Sequence, residues 1–126
     1  DENLREGFAD TMQMKQVLVN LIQNAIQACD EEPHIEVSTM VQNLSCTIGI
    51  KDHGKGISEI DLTKIFEPYF TTKKKGTGLG LAITRRIMRQ HGGDITVTSV
   101  LGEGSTFLIS LPCNREIEQQ LTKGNG

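Results

Sequence analysis

The run TMQMKQVLVNLIQNAIQACDE, residues 11–31, constrains the fold more than any other stretch, because its apolar residues recur at helical spacing. Val17, Leu18, Leu21, Ile22, Ala25 and Cys29 form one stripe. A helix of this kind must bury that stripe against another layer. Asp10 is placed to cap its start, and Pro33 to stop it. A second set of residues fits an ordinary amphipathic helix less well. Asn20, Asn24 and Gln27 fall on one face at i, i+4 and i+7, although Asn competes with the helix for backbone hydrogen bonds. The amide stripe is either a solvated helix face or the floor of a ligand site.

The partner layer is predicted to be a sheet. HIEVSTMVQ and LSCTIGIKD alternate apolar and polar residues as paired strands do, with a turn at Gln42-Asn43. DITVTSVLGEGSTFLISLP reads as a second hairpin around Gly102-Glu103-Gly104. Between the hairpins lie the loop DHGKGIS, the short amphipathic segment EIDLTKIF, the aperiodic stretch EPYFTTKKKGTG, and a second helix, LGLAITRRIMRQHG, stopped at Gly92-Gly93. The expected fold is an α/β (α+β) two-layer sandwich: a mixed, mostly antiparallel sheet with about three helices on one face. Residues 1–113 form the domain and 114–126 a polar tail.

Composition narrows the function. With 13 Lys and Arg against 16 Asp and Glu, the net charge of −3 argues against general nucleic-acid binding. Cys29, Cys46 and Cys113 are widely spaced, odd in number and lack a CxxC pair, which fits reduced thiols in a cytoplasmic domain. No apolar run is long enough to cross a membrane and no signal peptide is seen. The chain starts at Asp1 without Met and is expected to be a piece of a longer protein, whose parent could carry a membrane anchor.

Three glycine-bearing stretches remain: Asp52-His-Gly54-Lys-Gly56, Gly76-Thr-Gly78-Leu-Gly80 and Gly102-Glu-Gly104. The middle one opens a helix, where free N–H groups and the positive dipole end suit an anion. It is not a Walker A loop, because the GxxxxGK spacing is absent, and no strand precedes it as in a Rossmann unit. An Asn-bearing helix, then DxGxG, then FEPYFTTK, then GTGLGL, in this order, resembles the ATP-binding domain of sensor histidine kinases. Their superfamily, which shares the Bergerat fold, also holds type II topoisomerase, mismatch-repair and heat-shock chaperone ATPases. The resemblance covers residues 10–112.

The resemblance implies roles for particular residues. Residues 16–28 match the N box, in which Asn24 would ligate a Mg²⁺ bridging the triphosphate. Asn20 stands where hydrolytic relatives carry a water-activating Glu. An amide cannot take a proton, so Asn20 points to a domain that holds ATP without efficient hydrolysis. Gln27 stands at the nucleotide-facing position where many relatives have a phosphate-reaching Lys, and its amide brings no positive charge there. In the adenine loop, 52–57, Asp52 would accept from the adenine amine, while Gly54, Gly56 and Ile57 would pass the base and sugar; His53 is a bystander. The F box and lid occupy 65–77, with Phe66 in a packing role and Phe70 bearing on the lid. One of Lys73, Lys74 and Lys75, by choice Lys73, would meet the γ-phosphate. The glycine-rich loop, 76–80, would wrap the phosphates through Gly76, Thr77, Gly78, Leu79 and Gly80. Thr106 matches a residue beside the adenine, a purely structural role being nearly as good an account of it. Arg85, Arg86 and Arg89 read as an exposed helix face, and His91 as a helix-end residue without a catalytic role.

The implied function is a histidine-kinase catalytic domain that binds Mg²⁺–ATP and gives the γ-phosphoryl group to a histidine. Phosphoryl transfer asks the protein for positioning and charge neutralisation. None of His34, His53 and His91 lies in the helical segment expected of the acceptor, so that histidine is expected upstream, in a dimerising helical hairpin. A response-regulator receiver domain is the implied downstream partner, and the isolated chain is expected to be monomeric. Two alternatives stay open: an ATP-hydrolysing member of the superfamily, and a non-catalytic nucleotide-binding regulatory module.

Overall fold

The computed structural model describes residues 2–30, 32–70 and 79–112. Helix α1 (Glu2–Ala28) comes first, followed by β1 (Ile35–Gln42), β2 (Ser45–Asp52), a single-turn helix α2 (Glu59–Leu62), α3 (Gly80–Gln90), β3 (Asp94–Val100) and β4 (Gly104–Pro112). The strands form one sheet in the order β1-β2-β4-β3. Every pairing is antiparallel, so among the described residues the expected mixed component is absent.

The helices cover one face. Val17, Leu21 and Ala25 of α1 and Ile87 and Met88 of α3 close over Ile50, Ile95, Phe107 and Ile109 of the sheet, joined by Ile65 from the turn after α2. Burial of side chains this size stabilises by about 1.5–3 kcal/mol each. The alternation within β4 follows from this single covered face. Ser105, Phe107 and Ile109 are buried, whereas Thr106 and Leu108 turn to the other side. Edge strand β1 is left largely uncovered.

Three boundaries differ from expectation. Helix α1 begins at Glu2 and not after Asp10, because Glu2, Leu4, Arg5, Glu6 and Ala9 are helix formers and a residue able to cap can also be passed over. Its other end is fixed at Ala28, five residues before Pro33. There the Ala28 carbonyl accepts the Lys55 N–H at 3.0 Å, and Cys29 N–H turns back to Ile26 O at 3.2 Å. The first hairpin turns at Asn43-Leu44, both with positive φ (52° and 64°), between the pair Gln42 and Ser45. That matches a two-residue turn whose twist suits the strands.

Candidate functional site

Strand β2 ends on the carboxylate of Asp52, which is 1% exposed and pairs across the sheet with Ser105. Its Oδ1 accepts the Gly54 N–H at 2.9 Å, turning the chain off the strand. Among the described residues no ion pair reaches Asp52, and a buried carboxylate without a cation calls for further donors. The following loop is pressed against its neighbours. A Cβ on Gly54 would lie 2.3 Å from the Ala28 carbonyl oxygen, so only glycine lets the loop touch the end of α1. Gly56 has φ +74°, and a Cβ there would lie 2.2 Å from Val100 O. Gly102 N–H to Lys55 O, at 2.7 Å, ties the same loop to the β3–β4 turn.

Sequence reasoning passed over Ser99, and it joins these parts. Its Oγ accepts the Ile57 N–H at 2.7 Å and donates to Gly104 O at 3.0 Å. With the Ser99 proton spent there, the Ser105 hydroxyl, 2.7 Å away, donates to Ser99. Ile57 is therefore held by its backbone, while its side chain packs against the core. Thr106 is not brought to Asp52. It pairs with Lys51 and Thr98 on the side of the sheet away from the helices, whereas Ser105 shares the face of Asp52. A one-residue step along a strand reverses the face, and only the register with Asp52 tells the two hydroxyls apart.

The amide stripe runs from this loop to α3. Asn20 Nδ2 donates to Thr84 Oγ1 at 3.5 Å, and the fully buried Thr84 donates to Gly80 O at 2.8 Å. Asn24, one turn on, is half-buried; Gln27 is exposed in the last turn. From Asn20 to Ala28 the axis advances roughly 12 Å at 1.5 Å per residue. The face therefore has the start of α3 at one end and the Asp52 loop at the other.

Helix α3 starts with Leu79 in the cap position, without a side-chain cap bond and without an acidic residue in its first turn. Among the described residues, its chain neighbours and own helix backbone aside, nothing lies within 4 Å of where a Gly80 Cβ would be. Lys73, Gly76, Thr77 and Gly78 lie outside the described residues. Phe70 packs at the edge of the core, its N–H on Glu67 O at 3.2 Å. Phe66 also packs on the core, with the Arg85 guanidinium 4.9 Å above its ring. Arg85 is thus half-buried and not part of a plain exposed face; it and Arg89 approach Asp94 at 3.9 and 3.6 Å. His91 ends the helix with Nδ1 2.7 Å from Ile87 O. No helix among the described residues is long and apolar enough to cross a membrane.

This geometry agrees with the comparisons to known proteins. Residues 9–115 match the family described as histidine kinase-, DNA gyrase B-, and HSP90-like ATPase. The sensor histidine kinase ZraS of Escherichia coli K12 is 47% identical over 114 residues, which are 90% of this chain and 24% of that protein. The signal transduction histidine-protein kinase AtoS of the same strain is 43% identical over 120 residues, 94% of this chain and 20% of AtoS. The chain thus spans about a quarter or less of the length of these relatives. The catalytic domain of the histidine kinase ThkA, in a nucleotide-free form, superposes with a TM-score of 0.72 at 39% identity, over 80% of this chain and 66% of that one. The chain belongs to the histidine kinase-, gyrase B- and HSP90-like ATPase family, with sensor histidine kinases among its relatives.

Proposed function

We propose that this chain is the ATP-binding catalytic domain of a two-component sensor histidine kinase, which gives the γ-phosphoryl group of Mg²⁺–ATP to a histidine in a dimerising helical domain elsewhere in its parent. The observation that carries the reading is Asp52, a buried carboxylate that no cation among the described residues pairs with, at the closed end of an amide-lined face. An exocyclic amine of adenine supplies the donor that such a group lacks. Ser105, beside Asp52 on the same face, takes the role the sequence offered to Thr106. Gly54, Gly56 and the backbone around Ile57 shape the base end. The phosphates would lie toward Leu79 and Gly80, where the start of α3 favours negative charge, with Phe70 bordering that end. For Lys73, Gly76, Thr77 and Gly78 the phosphate-binding role rests on the family resemblance alone.

Asn24 suits the Mg²⁺. An amide oxygen is a hard, neutral ligand, and a cation that keeps water and phosphate oxygens needs few protein groups. An ion held there by Asn24 would neutralise charge on the phosphates. Asn20, engaged with Thr84, has no basic atom to activate water, which favours transfer over hydrolysis. The acceptor domain, a response-regulator receiver domain as the next acceptor, and a cytoplasmic location of this domain belong to the same reading.

The test uses the parent protein, extended through its helical region and incubated with γ-labelled ATP and Mg²⁺. Acid-labile, alkali-stable label on the protein is expected, as for phosphohistidine. ATP binding without label would favour a regulatory module, and free phosphate in multiple turnovers an ATPase.

A further inference from the structure

The uncovered face of the sheet carries a cluster that the nucleotide reading does not use. Ile35 and Asp52 are the terminal pair of β1 and β2, and both face the helices. Their neighbours His34, Glu36 and His53 therefore fall together on the opposite face. His53 Nε2 lies 3.2 Å from Glu36 Oε2, and the rings of His34 and His53 are 4.6 Å apart, tilted by 43°. One ligand atom from each of the three residues lies within 4.8 Å of the others. Zinc bonds to imidazole nitrogen and carboxylate oxygen are about 2.0–2.2 Å. Neighbouring ligands of a tetrahedral ion are then about 3.3 Å apart, the spacing His53 and Glu36 already have. Bringing in His34 takes a side-chain adjustment without movement of the strands.

We propose that His34, Glu36 and His53 form a binding site for a borderline divalent cation of the zinc type, with the fourth coordination position open to water. Two imidazoles and one carboxylate suit such an ion better than Mg²⁺ or Ca²⁺, which prefer all-oxygen sites. Glu36 is exposed and already 3.2 Å from His53 Nε2, and a surface carboxylate is an anionic ligand at neutral pH. Lys51, paired with Glu36 across the strands, is the nearby cation that weakens the site. A bound ion would clamp edge strand β1 to the residue next to Asp52, and so to the adenine loop.

The test is a Zn²⁺ titration of the full chain by calorimetry or against a chromophoric chelator, alongside His34→Ala, Glu36→Gln and His53→Ala. One ion per chain is expected, with affinity lowered roughly tenfold or more in each variant. Zinc should also raise the melting temperature of the wild type and not of the variants. Circular dichroism and nucleotide affinity of the metal-free variants establish that they are folded. No uptake by the wild type, or uptake unaffected by all three substitutions, overturns the site. The second outcome would mean adventitious surface binding or the thiols of Cys29 and Cys46.

Discussion

The two ends of the amide-bearing face are built on opposite rules. Where α1 ends, backbone packs on backbone. A Cβ on Gly54 would meet Ala28 O at 2.3 Å, and one on Gly56 would meet Val100 O at 2.2 Å. Where α3 begins, a Cβ on Gly80 would meet nothing within 4 Å among the described residues. The first end is preformed, and the chain itself requires its glycines. Among the described residues the glycine at the second end answers to no neighbour, which leaves space at a helix N-terminus. One residue type thus marks two physical situations, and replacing it with alanine separates them.

The largest effect is expected from Gly56→Ala. A left-handed conformation costs an L residue about 1–2 kcal/mol, and overpacking about 1–3 kcal/mol more. The variant should lose about 2–5 kcal/mol in a denaturant titration, with or without nucleotide. Wild-type stability would break the account of a closed end. Asp52→Asn comes next and acts on binding. The amide oxygen can still accept the Gly54 N–H, so stability should hold within about 1 kcal/mol, while ATP affinity falls about 10- to 100-fold through loss of a charged acceptor. Calorimetric titration giving unchanged affinity would remove the base from this end.

Where sequence sufficed and where it did not follows the same physics. Helix α3, both hairpins and the buried acid at the end of a strand are written in local patterns: apolar periodicity, alternation and DxGxG. The length of α1 was not, because Asp10 can cap a helix or sit inside one, and nothing local decides. Pro33 was a true breaker but a late one, since the Ala28 carbonyl is taken by Lys55 across the fold. Leu44 at φ 64° hid the turn position, as leucine carries no preference for that region. Ser105 and Thr106 are the sharpest case. Either hydroxyl fits the pattern, and only pairing with Asp52 assigns the face. Ser99 left no signal at all, because its bond to Ile57 joins segments far apart in sequence, and those to Gly104 and Ser105 depend on the register of the second hairpin.

The open end gives the smaller effects. Gly80→Ala should leave stability unchanged or raise it by up to about 1 kcal/mol, since alanine is the better helix former and has room. If phosphate packs against that turn, ATP affinity should fall at the same time. Unchanged affinity would leave Gly80 needed by neither fold nor ligand.

Asn20→Ala should move stability least. The bond to Thr84 is long at 3.5 Å and stands near the weak end of the range, about 0.5 kcal/mol. Alanine returns a similar amount as helix propensity, so the thermal midpoint should barely change. Thr84 keeps its bond to Gly80 O, and the start of α3 stays in place. Against that flat background, phosphotransfer by the extended parent is the informative readout. A loss of transfer with an unshifted midpoint makes Asn20 a group that meets the nucleotide. A stability loss well beyond 1 kcal/mol makes it a cross-brace between α1 and α3, and the open end would then be more tightly built than its empty glycine suggests.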